Sequence, residues 1–553
     1  MSDLHPILED LIEKRGIADR DAFLNPNYEM RHDPFLMKGM LVAVDRLLQA
    51  IKNDEQVAVW SDYDCDGVPG GALMRHFFSK IEYPLRSYIP ERSEGYGMNK
   101  LGIQKLKDEG VSLIVTVDCG ITNVEEVAFA KGLGIDVIVS DHHLPQEHVP
   151  EALAVLNPHQ NDCAYPFKEL CGTGVAFKIV EALIHKGNEE KIFSVPEGWE
   201  KWLLDLVALA TVADMVELSG ENRTLVHYGL VVMKKGRRPG LRALMDKVRV
   251  PLAHVTEDDI AFSIAPKINA ASRMKSPMLA LELLSTDSVE RAQELAKELV
   301  RLNDARKLEG ARIAKEVKKR IDGTPLAPVV VLGNSTWKPA LLGIAASNVV
   351  ETYGRPVCLW GKEGDLLKGS CRSDGSINIV ELLAASSELF EDFGGHEQSG
   401  GFSLVASSIH ELPEKLEASY KHLKEDSQRP QETESDENLH LSEVSFGTYS
   451  ALRRLAPYGM GNKKPVFTFA NARIAGVHYF GKHKEHLRIT ISDENGSHTD
   501  VIGFFFQRAP CSDTLDLLSE GDTVSVVGSI ECSYFGRKRE VRLRLEDIQL
   551  TGN

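Results

Sequence analysis

Val137-Ile138-Val139-Ser140-Asp141-His142-His143 reads as a short β-branched strand that ends in an acid and two imidazoles. A buried parallel strand has this look, a few apolar residues without polar alternation, because both of its faces are covered. Three other stretches repeat the pattern. Val57-Ala58-Val59-Trp60 leads into Ser61-Asp62-Tyr63-Asp64-Cys65-Asp66-Gly67, and Leu113-Ile114-Val115-Thr116-Val117 leads into Asp118-Cys119-Gly120. Leu206-Val207-Ala208-Leu209-Ala210 leads into Thr211-Val212-Ala213-Asp214. Open α/β sheets bind ligands at the carboxyl ends of their strands, so these four runs predict strands whose ends converge on one crevice. So many oxygen and imidazole donors share a site only where cations neutralise them, which points to a metal centre.

Around this stretch, strand-like runs alternate with helical patterns such as Val124 to Lys131 and Gly174 to Ile184. That alternation predicts βαβ units and an α/β fold with a parallel sheet over residues 46–235, after an N-terminal extension over 1–45. Residues 286–321 hold no proline and one glycine, with Leu295, Leu299, Leu302, Leu308, Ile313 and Val317 at helical spacing. One or two long helices are therefore expected within a connector over 236–325. A second, smaller α/β segment opens at Pro328-Val329-Val330-Val331-Leu332-Gly333 and fills 326–425. An acidic, apolar-poor linker over 426–440 and a β-barrel over 441–553 complete the expected order. Turns in the barrel are signalled at Glu494-Asn495-Gly496 and Phe535-Gly536.

With 553 residues, the chain is too long for one hydrophobic core. Its apolar fraction of 43% is that of an ordinary globular protein, and no apolar run approaches the roughly 20 residues that span a bilayer. Met1-Ser2-Asp3-Leu4-His5-Pro6 has neither a basic nor an apolar leader pattern, so no secretory signal is expected. The eight cysteines form no C-x-x-C pairs and suit reduced thiols in the cytoplasm. A net charge of −17 speaks against wholesale nucleic-acid binding. Local basic clusters nevertheless stand at Lys234-Lys235-Gly236-Arg237-Arg238 and Arg537-Lys538-Arg539.

Asp64-Cys65-Asp66 sets two carboxylates two residues apart just past a strand, in a turn that Gly67 permits. Asp118, Asp214 and His142 add ligands from other expected strand ends. Such a set can hold two divalent cations roughly 3.5–4 Å apart, the arrangement of two-metal phosphoester hydrolysis. A single D-x-D in a turn, or a lone His-His pair, is more often a plain surface feature; the ordered set of four outweighs each alone. Cys65 and Cys119 read as small core residues rather than ligands.

The four clusters resemble motifs I to IV of the DHH phosphoesterases, and further segments resemble the RecJ branch of single-strand exonucleases. These are Ile89-Pro90-Glu91-Arg92, Glu94-Gly95-Tyr96-Gly97, Leu156-Asn157-Pro158-His159, Asn269-Ala270-Ala271-Ser272-Arg273, Gly369-Ser370-Cys371-Arg372-Ser373, Gly394-Gly395-His396 and Pro457-Tyr458-Gly459-Met460-Gly461-Asn462. The resemblance implies a metal-dependent 5′→3′ exonuclease of single-stranded DNA that releases 5′-mononucleotides in recombination and repair. It implies Asp64, Asp66, Asp118, His142 and Asp214 as ligands of two Mn2+ or Mg2+ ions, with Asp118 as bridge. Asp62 would orient a ligand or water, and His143 would face the scissile phosphate. The resemblance also implies a DHH-associated domain, an OB-fold barrel, and a single-stranded-DNA-binding protein and a helicase as partners. The chain is expected to work as a monomer, away from membranes.

By the same resemblance Arg273, Ser370, Arg372 and His396 would hold the nucleotide nearest the 5′ end, although Gly394-Gly395-His396 also fits a tight turn before a strand. In the barrel, Tyr479, Phe480, Tyr534 and Phe535 stand beside Lys482, Lys484, Arg537 and Lys538, a mixture of stacking faces and cations suited to single strands. Tyr534, Arg537 and Lys538 are the chief candidates. Three positions depart from the family pattern, namely Ser272, Pro339 and Ser399, all in substrate-gripping segments. Two rivals remain: a phosphoesterase of small nucleotides, disfavoured by the barrel, and an inactive DNA-binding scaffold, disfavoured by the intact carboxylates.

Overall fold

The computed structural model describes residues 4–426, 435–481, 484–506, 511–515, 517–534 and 539–551. Arg537, Lys538, Lys482, the Phe535-Gly536 turn and most of the expected acidic linker lie outside the described residues. The chain divides into two compact units. One comprises Asp21–Arg306 together with Ala456–Lys463, and the other Met1–Arg20, Lys307–Leu455 and Lys464–Asn553. The division falls inside a single 33-residue helix, Val289–Ile321. Among the described residues no helix is long and apolar enough to cross a membrane.

The first unit is built on a five-stranded sheet of β1 (Gln56–Ser61), β2 (Leu85–Tyr88), β3 (Val111–Val117), β4 (Asp136–Ser140) and β5 (Ala154–Leu156). All neighbours are parallel, in the order β2-β1-β3-β4-β5. Alternation along the strands sends side chains into two cores. Val57, Val59, Val115, Val117 and Ile138 enter the larger one, and Ala58, Trp60, Ile114, Val137 and Val139 the smaller. Both faces are thus covered, the condition under which a parallel strand reads as an unbroken apolar run. The expected helices appear as Val124–Gly132 and Gly172–Glu189.

The strand order reverses between β1 and β3, because β2 lies on one side of β1 and the later strands on the other. The two adjacent strand ends diverge there and leave a crevice, the usual ligand position in open sheets. Asp62–Asp66 follow β1 and Asp118 follows β3.

The fourth apolar run departs from expectation. Leu204–Ala213 is a helix, with Asp214 at its C-cap, and residues 204–211 are all buried. A segment enclosed on every side carries no period that separates helix from strand. Its Leu and Ala residues are strong helix formers, and that preference prevails.

In the second unit, β6 (Val330–Gly333), β7 (Val357–Glu363), β8 (Leu366–Arg372), β9 (Asp392–His396) and β10 (Ser399–Val405) form a sheet in the order β6-β7-β8-β10-β9. Only the β6–β7 pair is parallel. Gly394 and Gly395 therefore lie in an edge strand rather than in a turn. A third sheet contains β11 (Glu437–Asn438), β12 (Phe467–Phe480), β13 (His486–Ser492), β14 (His498–Phe504), β15 (Thr523–Ser533) and β16 (Glu540–Leu550). An additional β12–β15 pairing closes it into the barrel, and Phe506 supplies a ring to its interior while Phe505 is exposed.

Candidate metal centre

Every acidic or imidazole side chain expected from the four motifs lies in the first unit, at the end of β1, β3, β4 or the helix Leu204–Ala213. After β1 the chain turns directly into the helix Gly67–Lys80. A Cβ on Gly67 would stand 2.5 Å from the Asp62 carbonyl oxygen, so it is close approach, not an unusual φ, that requires glycine here. Asp64 Oδ1 accepts from the backbone N–H groups of Asp66 (2.7 Å) and Gly67 (3.2 Å). Asp66 is buried, and its two oxygens accept from Gly172 N (2.6 Å) and Thr173 N (2.7 Å). Those two donors open the helix Gly172–Glu189, whose positive end favours an anion.

Asp118 takes φ +64°, a left-handed conformation that Asp tolerates better than most residues. Its N–H donates to Ser140 O at 3.1 Å, and the Tyr96 hydroxyl donates to its carbonyl at 3.1 Å. Asp141 is fully buried and is wholly engaged in holding backbone and ring. It accepts from Ile121 N (2.9 Å), His142 N (2.7 Å), His143 N (3.1 Å) and His143 Nδ1 (2.8 Å). Burial would raise its pKa, but these hydrogen bonds prevail and hold it below the usual carboxylate range. Burial likewise lowers His143, while Asp141 pulls it the other way, to about 9.

The ligand-type atoms converge. His142 Nε2 lies 3.2 Å from Asp118 Oδ1, 3.5 Å from Asp214 Oδ2 and 3.6 Å from Asp66 Oδ2. Three triads have donor atoms within 4.8 Å of one another: Asp118-His142-His143, Asp66-His142-Asp214 and Asp62-Asp64-Asp118. Asp118 and His142 each belong to two of them, and Asp62 belongs to one. Asp62 Oδ1, Asp118 Oδ1 and His142 Nε2 are buried without a hydrogen-bond partner. Such atoms are costly unless something else coordinates them. Burial and the neighbouring carboxylates push Asp62 and Asp118 well above the ordinary range and Asp214 up to about 9, while burial lowers His142. Carboxylates crowded this closely resist ionising together, and divalent cations remove that penalty. The donor set, oxygens plus an imidazole, suits manganese or magnesium. Cys65 and Cys119 are buried in the two cores.

A group of guanidiniums flanks this cluster. Arg92 lies over the Tyr63 ring at 4.0 Å, and its Nε donates to Ser272 Oγ at 3.2 Å. The serine that departs from the family pattern thus fixes an arginine. Burial, with Arg92 and Arg306 nearby, lowers Arg273 to about 9.

Ser370, Arg372 and His396 lie in the other unit. Arg372 on β8 pairs with Ser399 on β10, and Ser399 pairs with His396 on β9, so the three occupy one row across three strands. Arg372 Nη1 donates to Ser370 Oγ (3.0 Å) and Cys371 O (2.7 Å). Its Nη2 would meet a Cβ on Gly343 at 2.6 Å. His396 is exposed, and Tyr534 is half-buried beyond β15. Asp141 was quoted from sequence without a role of its own, and Tyr96, Arg92 and Gly172 were not singled out. The first three fall within or beside quoted motifs, whereas nothing local marks Gly172.

Comparison with known proteins agrees with this architecture. Residues 56–211 match the DHH family, N-terminal domain, 326–424 the DHHA1 domain and 435–547 the RecJ OB domain. The single-stranded-DNA-specific exonuclease RecJ of Bacillus subtilis (strain 168) is 33% identical over 99% of this chain and 68% of its own length. The protein of the same name from Dickeya dadantii (strain 3937) is 31% identical over 99% of this chain and 96% of its own. The crystal structure of RecJ in complex with Mn2+ from Thermus thermophilus superposes with a TM-score of 0.81 at 28% identity, covering 100% of this chain and 76% of that one. With 31% identity across nearly the whole of both chains, on the fold already described, this chain belongs to the RecJ family.

Proposed function

We propose that the chain is a divalent-cation-dependent exonuclease that degrades single-stranded DNA from the 5′ end and releases 5′-mononucleotides. The observation that carries this reading is the set of interlocked triads around Asp118 and His142, whose donor atoms are buried without hydrogen-bond partners. In this reading Asp64, Asp66, Asp118, His142 and Asp214 would hold two cations, with Asp62 contributing from the Asp64 side. Bound there, the cations would polarise the scissile phosphate and acidify the attacking water.

The remaining roles fall to side chains. The helix end at Gly172 and Thr173 fixes the direction of Asp66's free lone pairs. Asp141 fixes the backbone that presents His142 and His143, so His143 can donate to a phosphate oxygen. Arg92 and Arg273 oppose the phosphate charge on the Tyr63 side. Arg372 and His396, in one row across the sheet with Ser399, and Ser370, bonded to Arg372, form a polar group suited to a terminal phosphate, and Tyr534 offers a ring to a base. By family resemblance the setting is cytoplasmic DNA recombination and repair, alongside a single-stranded-DNA-binding protein and a helicase, with the enzyme acting as a monomer.

A timed digest of a 3′-labelled single-stranded oligonucleotide with manganese tests the reading. A ladder of shortening labelled products is expected, and chelator should abolish it. Immediate release of the label as a mononucleotide would reverse the polarity, and an untouched strand would refute the activity.

A further inference from the structure

The basic run Lys234-Lys235-Gly236-Arg237-Arg238 takes no part in the metal centre, and it continues into the helix Pro239–Val248. From Lys234 to Arg249 the chain carries seven basic residues and one acidic one, in a protein whose net charge is −17. Arg238 is buried and fully engaged. Its Nε and Nη2 donate to the Asp205 carboxylate at 2.9 Å each, and its Nη1 meets His76 Nε2 and the Leu284 carbonyl. The others differ. Lys235, Arg242, Lys247 and Arg249 are exposed, and none is in an ion pair among the described residues. Exposed cations elsewhere in this chain commonly pair: Lys100 with Glu125, Arg291 with Glu282, Arg301 with Glu298. Lys247 and Arg249 gain from the negative end of their helix. Lys235, just past the C-cap Lys234 of the helix Gly220–Met233, gains likewise; Arg242, in the middle of its helix, has no such reason to be there.

The position of this helix supplies the second observation. It packs against the π-helical turn Asp259–Ile264, which itself packs against the helix that ends at Asp214. From that turn, which touches both the helix that ends at Asp214 and the helix of the unpaired cations, Phe262 projects a bare aromatic ring with 76% of its surface exposed. Cations that follow a phosphate backbone beside a ring that stacks bases are the usual equipment for holding a single strand.

We propose that Phe262 and the cations around Lys235 and Arg242 form a second nucleic-acid surface. It holds the strand beyond the nucleotide being cleaved and acts only on substrates long enough to reach it. The proposal rests on the single-strand exonuclease reading for its substrate.

The test compares wild type with a Lys235→Ala/Arg242→Ala variant and with Phe262→Ala, on oligonucleotides of about six nucleotides, no longer than a typical single-strand site, and of about sixty, several times longer. Each lost phosphate contact reduces the salt slope by about 0.7 for single strands, so two make wild type lose about sevenfold more affinity than the double variant between 50 and 200 mM salt. KM for the long strand should rise in both variants, kcat should hold, and kinetics on the short strand should be unchanged.

Unaltered KM and salt slope on the long strand would overturn the proposal. Equal losses at both lengths would also do so, since they would indicate damage to the unit as a whole. Capture of an acidic peptide by wild type but not by the double variant, with strand kinetics unaltered, would assign the face to a protein and overturn it too. Anisotropy of the long strand in chelator reads the surface separately from cleavage. Binding that falls in the variants supports the surface even if wild type proves unable to cut.

Discussion

Replacing Gly172 with alanine adds one methyl group and no charge, yet it should disable the metal centre. The new Cβ would stand 2.5 Å from Asp118 Cβ, 2.7 Å from its Cα and 2.8 Å from its Oδ1. Carbon atoms rest about 3.5–4.0 Å apart, so roughly 1 Å of displacement must be found. Neither side gives way easily. Asp118 is pinned by its N–H to Ser140, by Tyr96 on its carbonyl and by its left-handed backbone. The helix start is pinned by the bonds from Gly172 and Thr173 to Asp66. The displacement therefore falls on a shared donor, and about 1 Å at a reacting centre costs roughly 100-fold in rate. Overpacking should also cost about 1–3 kcal/mol of stability. The control is Gly174→Ala, two residues along the same helix. Its Cβ would meet Leu170 at 3.4 Å, an ordinary contact, so the substitution should be neutral or stabilise by up to about 1 kcal/mol. Exonuclease kinetics with manganese and thermal melts of both variants decide the matter. Full activity in Gly172→Ala, or an equal loss in Gly174→Ala, would refute the steric argument.

Asp118→Asn keeps the shape and tolerates the same backbone, so it should abolish cleavage while the protein folds. Measured in chelator, this variant should melt above wild type, because one of several crowded carboxylates is gone; a lower melt would contradict the like-charge reading. His76 gives a pH test remote from the metal centre. Burial, then Arg238, lowers it from 6.5 to about 4, so the folded state favours the neutral ring. Its contribution is present above pH 6.5 and is lost as pH falls towards 4, on the order of 3 kcal/mol in all. Denaturant melts between pH 4 and 7 should show a shallower loss in His76→Gln than in wild type, and parallel curves would rule out the assignment.

The parallel sheet was legible because β1, β3 and β4 are covered on both faces and so write themselves as apolar runs. Asp62, Asp64, Asp66, Asp118 and His142 were legible because each follows directly on such a run. Leu204–Ala213 misled for the same physical reason: total burial erases the period that tells helix from strand. Asp214 survived the misreading because it ends the element either way. Arg92 and Ser272 lie 180 residues apart in sequence, and no local pattern announces that one donates to the other. Gly172 is a stronger case. Its importance is the volume of a methyl group at a contact with Asp118, which only the folded packing defines. In the second unit, Gly394-Gly395-His396 read either as a substrate-holding segment or as a tight turn before a strand, and pairing with β10 makes it an edge strand, which no local pattern announced.

The segment Ala456–Lys463 stands in sequence between the two domains of the second unit but belongs to the first. Leu218 N–H donates to the Met460 carbonyl at 2.8 Å, and Tyr458 N–H to Glu257 Oε1 at 3.2 Å. Leu218 comes four residues after Asp214. A deletion that removes the barrel by stopping near residue 440 would therefore also take away the clasp that closes the loop behind a cluster carboxylate. Activity lost in so shortened a chain could not be credited to missing DNA affinity alone. The informative cut lies after Lys463, and a protease that nicks the chain on either side of this segment should leave it held in place by the unit it serves.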